Sequence, residues 1–226
     1  MVKQARAVAT RQQIITGAAR MFERSGFDGA SLGDIVDGAG TTKGALYFHF
    51  RSKDELAHVV IDEQQRASAQ ALEAIAATGA SPLRQIVMLC HDLGGRLVTD
   101  PIVRAGMRLT IEFGDGNGSE SPFAVWIDDC RRIVEAGVAQ GEITATVEAP
   151  VLARFVIESF TGVQVVSKVL TGRQDLPERI DAMWRILLPA VATTRDPAEL
   201  DDIRAARWTA TEPSAHAPAT RVAVEV

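Results

Sequence analysis

The chain has 226 residues, of which 46% are hydrophobic and 23% charged, with a formal net charge of −5. This balance describes a globular protein long enough to bury a real core, and two cysteines, Cys90 and Cys130, are too few for a disulfide framework. No apolar run approaches the ~20 residues of a bilayer span, and the N-terminal stretch MVKQARAVATRQQIITGAARMF lacks the apolar core of a secretory signal, so a cytoplasmic protein with reduced thiols and no membrane association is expected.

The predicted elements are helical throughout. A first helix runs from about Val8 to Ser25, with Ile14, Ile15, Ala18, Met21 and Phe22 spaced by three and four, and Gly26 stands where a helix-ending glycine belongs. Ser31, with Asp34 three residues on, caps a short second helix whose inward face is Leu32, Ile35 and Val36. Gly38 and Gly40 make a turn, and Thr41 or Thr42 caps a third helix reading TTKGALYFHF. Ser52 and Glu55 have capping-box spacing and open a fourth helix that runs toward Thr78. Pro82, Pro101 and Pro122 mark later helix starts, GDGNGSES (114–121) reads as a loop, and helices follow at 122–140, 148–170 and 176–192. From Thr209 the composition is that of a disordered tail.

The fold class is therefore all-α. Residues 1–51 form a helix-turn-helix unit, 52–208 a larger helical body and 209–226 the tail. Charge divides the same way. Residues 1–53 hold eight Lys/Arg against four acids, a balance of +4, which leaves −9 for the remainder. A basic head on an acidic body fits a head that meets a polyanion.

Residues of the third helix sort by direction. Ala45, Leu46 and Phe48 are read as inward contacts with the first two helices, and Phe50 as the seal to the fourth. Lys43 and Tyr47, four apart, share the opposite face, and Gly44 lets the backbone come close to a groove. Thr42, Lys43, Gly44 and Tyr47, with His49 and Lys53 just beyond, make up the expected contact set for double-stranded DNA. Lysine and hydroxyl donors serve phosphate, and the helix start approaches base edges.

Catalytic patterns are missing from the sequence. It has no P-loop, no H-E-x-x-H and no G-x-S-x-G. Cys90-His91 with Cys130 lacks metal-ligand spacing, and the adjacent Asp128 and Asp129 diverge on a helix, so neither catalysis, a metal nor a cofactor is expected.

The stretch GASLGDIVDGAGTTKGALYFHFRSKDELA resembles the DNA-binding region of TetR-family repressors, above all the γ-butyrolactone-receptor branch that controls antibiotic production in streptomycetes. The resemblance continues more loosely through RAGMRL (104–109), PFAVWIDD (122–129) and FTGVQVVS (160–167). Thr41 departs from it, because the family usually has an apolar residue there that can staple onto Leu46.

The resemblance implies a homodimer that binds an inverted-repeat operator and pairs through its last two long helices. PVLARFVIESFTGVQVVSKVL is apolar on nearly all sides, and Leu176, Ile180, Met183, Trp184, Leu187, Leu188 and Val191 form a stripe, as burial or an interface would require. It also implies a small-molecule effector of butyrolactone, butenolide or furan type. Trp126 leads the implied pocket residues, with Gln64 and Thr161 as polar groups and Val163, Met88 and Phe155 as apolar lining, although each position also admits a plain packing role. The implied function is a ligand-released repressor controlling secondary metabolism. A pseudo-receptor or multidrug-type repressor answering another effector is the alternative.

Overall fold

The computed structural model describes residues 2–114 and 121–209. Among them lie ten helices: α1 Val2–Gly29, α2 Leu32–Gly38, α3 Lys43–His49, α4 Lys53–Ala76, α5 Pro82–Thr99, α6 Pro101–Phe113, α7 Pro122–Ala139, α8 Ala149–Thr171, α9 Leu176–Val191 and α10 Pro197–Arg204. The all-α expectation holds, and the one β-type pairing among the described residues is an isolated bridge between Ile143 and Ala192.

Local signals set most boundaries. Ser31, Thr42 and Ser52 each accept a hydrogen bond from the amide three residues on, at 3.1, 3.2 and 3.0 Å, and so satisfy donors that a helix start leaves open. Prolines occupy the first turn of α5, α6 and α7. Two boundaries differ from the sequence reading. α1 begins near Val2 rather than Val8, and α10, absent from that reading, packs Ile203 into the core. The 114–121 loop lies outside the described residues apart from its two ends, as does the expected tail beyond Thr209.

Gly26 breaks α1 with φ 73° and ψ −178°, a conformation open essentially to glycine alone. Its space is closed as well. A Cβ there would sit 2.6 Å from the Arg108 guanidinium and 2.7 Å from the Glu112 carboxylate. The turn after it is anchored from two sides: Phe27 N–H donates to Glu112 Oε2 at 2.8 Å, and Lys53 Nζ donates to the Phe27 and Ala30 carbonyls at 2.8 and 3.0 Å.

Two apolar clusters organise the packing. The N-terminal one joins Ile14, Ile15, Phe22, Ile35 and Leu46 to Leu56 and Val60 of α4 and to Ala105 and Leu109 of α6. The division between 51 and 52 therefore runs through a shared core, with α4 and α6 belonging to both halves. The second cluster is built from α5 to α10.

Packing reverses two assignments, one inward and one outward. Phe48 was read as a contact with the first helices but is 79% exposed, because Leu46 and Phe50 already fill that seam. The α9 stripe was read as part of a dimer surface. Leu176, Ile180, Met183, Trp184 and Leu188 instead lie buried in this chain's own core, and Leu187 and Val191 pack against it. The outward apolar face belongs mainly to α8, where Val151, Phe155, Val165, Val166, Val169 and Leu170 are exposed, with Ile186 of α9. α8 is long and apolar enough to cross a membrane by composition, but its opposite face (Leu152, Ala153, Val156, Phe160) is core, and Arg154, Glu158 and Lys168 interrupt the exposed side.

Burial predicts two stability effects. Leu46→Ala should cost about 2–5 kcal/mol in denaturant unfolding, whereas Phe48→Ala should stay within about 0.5 kcal/mol. His91 of α5 is the second case. Burial, helped by the Arg207 charge, lowers its pKa to about 4. The unfolded chain then binds the proton more readily, so the His91 contribution falls away as pH drops from about 6.5 toward about 4. The loss of thermal midpoint between about pH 7 and about pH 5 should be smaller in His91→Gln than in the parent.

Candidate functional site

The basic head ends in a compact outward face. Thr42, Lys43 and Gly44 at the start of α3 are exposed, as is Tyr47 one turn on. A cap holds this helix start and Leu46, fully buried, holds the helix against α1 and α2, so the exposed side chains project from a fixed support. His49 is half-buried, its ring edge-on to Phe48 with centroids 5.0 Å apart. Phe48 joins the exposed face, an addition that the apolar character of phenylalanine hid.

Lys53 leaves that set. Its ammonium is held by two carbonyls and lies 4.3 Å from the centre of the Phe27 ring, so it fastens the Gly26 turn to α4. A cation satisfied in this way is a poor phosphate ligand.

The body contains a mainly apolar cavity of about 120 Å³ between α4, α5, α7 and α8. Trp126 lines it, with Phe123 edge-on to its ring at 5.1 Å. Leu89, Leu93, Ile157 and Phe160 supply further wall, and Arg96 is its one cation. Arg96 donates to the Ala67 carbonyl at 2.8 Å and pairs with Asp92, yet its buried Nε has no partner. An apolar ligand with one acceptor fits such a wall.

Cys90 and Cys130 both line the cavity. Burial lifts the Cys90 thiol far above its usual range and Cys130 to about 12, Asp129 adding to the latter, so both are neutral lining at physiological pH. Among the described residues no group of three or more His, Cys, Asp or Glu is arranged to hold a metal.

The other expected pocket residues do not line this cavity. Gln64 is fully buried one position away from the wall, its amide donating to Ser68 Oγ at 3.0 Å, while Gln65 takes the lining place. Thr161 donates its hydroxyl to the Ile157 carbonyl at 2.8 Å, one turn back along α8. Val163 packs against the main core, Met88 is half-buried outside the cavity, and Phe155 is 51% exposed on the outward face of α8. Helical phase explains these displacements, since a neighbour one position away points about 100° elsewhere. The wall residues that were missed had a usable signal: Ile86, Leu89, Cys90 and Leu93 repeat at helical spacing on α5, with Arg96 one turn on.

A capped helix-turn-helix head sharing two helices with a cavity-bearing all-α body defines a TetR-type regulator. The model for bacterial regulatory proteins of the tetR family matches residues 14–60, and that for the tetracyclin repressor-like C-terminal domain matches residues 80–193. The chain belongs to the TetR family of transcriptional regulators and is not an enzyme.

Among relatives, it is 38% identical over 192 residues to the A-factor receptor protein of Streptomyces griseus, covering 85% of this chain and 67% of that one. A crystal structure of a γ-butyrolactone receptor (ArpA-like protein) superposes with a TM-score of 0.80 at 30% identity, covering 88% of this chain and 96% of that one. CprB from Streptomyces coelicolor, solved in complex with its biological operator sequence, superposes with a TM-score of 0.77 at 31% identity and the same two coverages.

Lys43 and Lys53 should separate cleanly. Lys43→Gln should weaken binding to duplex DNA and reduce the salt slope by about one, at unchanged thermal midpoint. Lys53→Gln should chiefly lower the midpoint, because the Gly26 turn loses its anchor. Calorimetry and anisotropy titrations on the same preparations distinguish the two.

Proposed function

We propose that the protein is a repressor that binds an inverted-repeat operator as a homodimer and is released by a γ-butyrolactone-type signalling molecule, so controlling secondary metabolism. One observation carries the reading. α4 begins behind the exposed face of α3, supplies Leu56 and Val60 to the head's core, and farther along contributes Gln65, Ser68, Ala69 and Leu72 to the cavity wall. Filling the cavity therefore acts on the helix that carries the head.

The dimer rests on the outward face of α8, where six large apolar residues stand exposed around Gly162. A face of that kind is stable when covered by its own copy about a twofold axis. Two heads so related read half-sites about one DNA turn, roughly 34–36 Å, apart. Effector binding that shifts α4 spoils that spacing, and a hundredfold loss of operator affinity needs only about 3 kcal/mol of coupling. The effector class rests on the likeness to the A-factor and γ-butyrolactone receptors and on a predominantly apolar cavity against which the Trp126 ring lies.

Fluorescence anisotropy with DNA from upstream of the gene tests the reading. Salt-sensitive binding to an inverted repeat, much weaker on a single half-site and reversed by a γ-butyrolactone, is expected. Trp126→Ala should bind the repeat normally and lose most of the release. Release by an antibiotic and by no lactone, butenolide or furan would favour the multidrug-type alternative, and no binding to any inverted repeat would overturn the reading.

A further inference from the structure

Among the described residues Arg173 is the one non-glycine position with a positive φ, 71°. It follows Gly172, the left-handed residue that ends α8, and leads into α9. Two backbone bonds hold it there. Its N–H donates to the Ser167 carbonyl at 3.2 Å, and its carbonyl accepts from Leu176 N–H at 3.3 Å. Any residue with a Cβ is strained in this conformation, and glycine is not. The reason for an arginine therefore lies in its side chain.

That side chain is an independent oddity. Arg173 is 6% exposed, and its Nε is buried without a hydrogen-bond partner. The charges that act on it belong to the helices that hold the head: the Glu23 carboxylate of α1 attracts it and the Arg104 guanidinium of α6 repels it. Glu23 is bonded to Arg104 at 2.6 Å, so one carboxylate stands before two guanidiniums. Lys168, in the last turn of α8, faces Glu23 as well, together with Arg108 and Glu112 of α6. No residue of α1 belongs to the body's apolar cluster, and none of α8 to the head's. The end of α8 therefore meets α1 through charge, and a buried charge is only weakly screened.

We infer that Arg173 is a positioning residue: its guanidinium draws Glu23, and with it α1, toward the end of α8, and so fixes the angle between the DNA-binding head and the helix on which two copies pair. The inference rests on the homodimer and inverted-repeat reading proposed above. It adds the residue that sets the separation of the two heads, and hence the half-site spacing that the dimer accepts. Arg173 does this without touching DNA, since it acts through Glu23 on the far side of the head from α3. The strained backbone is what turns the guanidinium inward from a tight turn between two long helices.

Anisotropy titrations test this with a set of inverted repeats that share their half-sites and differ by one or two base pairs in the spacer, and with a single half-site. Four full-length proteins are compared: the parent, Arg173→Gln, Arg173→Lys and Arg173→Gly. Glycine accepts the positive φ freely, so Arg173→Gly should fold even if the polar variants do not. The parent should prefer one spacer. Arg173→Gln and Arg173→Gly should each reduce that preference by about fivefold, with affinity for the single half-site unchanged, and Arg173→Lys should keep most of it. A preference unchanged in both charge-free variants, one lost equally in Arg173→Lys, or a half-site affinity that falls in step overturns the inference and leaves the homodimer reading intact. A parent that binds every spacer and the single half-site equally well overturns the homodimer reading and this inference with it.

Discussion

The close approach of α4 and α6 is the constraint on which the rest depends. A Cβ at Gly106 would fall 2.6 Å from Gln64 Cβ and 3.4 Å from the Val60 carbonyl, so only a residue without a side chain lets the two helices meet at this depth. On its other side α6 is bound to α1: Arg104 pairs with Glu23 at 2.6 Å, and Arg108 donates to the Glu23 carbonyl at 2.8 Å. Glu112 completes the join by accepting from Phe27 N–H. The head thus sits on a pair of helices locked together, rather than on a linker.

That arrangement explains how a small ligand could move a DNA-binding surface. Neither α4 nor α6 can shift alone at Gly106, because the gap between them has no slack. Displacement of either is passed to the turn at Gly26, which Lys53 holds from α4 and Glu112 from α6. The outward face of α3 is backed by the buried Leu46 and Phe50, so a tilt of the turn becomes a displacement of α3. Close packing transmits such a shift instead of absorbing it.

Much of this was legible in the sequence, and unevenly so. The caps at Ser31 and Ser52 and the break at Gly26 are local, depending on side-chain-to-backbone hydrogen bonds within a few residues or on one permissive φ, and they read correctly, while the choice between Thr41 and Thr42 falls to Thr42 only in the structure. Phe48 did not, since hydrophobicity alone cannot say that Leu46 and Phe50 have already filled the seam. The α9 stripe shows the converse difficulty. An apolar face reads the same whether its cover is this chain or a copy of it, and only the packing assigns Trp184 to the core and Val169 to the surface. Resemblance carried Trp126 to the cavity wall but not Gln64, Thr161 or Phe155, because pocket lining depends on helical phase to within one residue.

The central claim is that cavity and head are coupled through α4 and α6, and the most direct test is reciprocity. The affinity of a γ-butyrolactone found to release the protein would be measured by calorimetry for the free protein and for the protein saturated with operator. The factor by which operator weakens effector binding should equal the factor by which effector weakens operator binding, because both report one coupling free energy. Effector affinity unchanged by saturating operator, with the protein still on the DNA, would contradict the account.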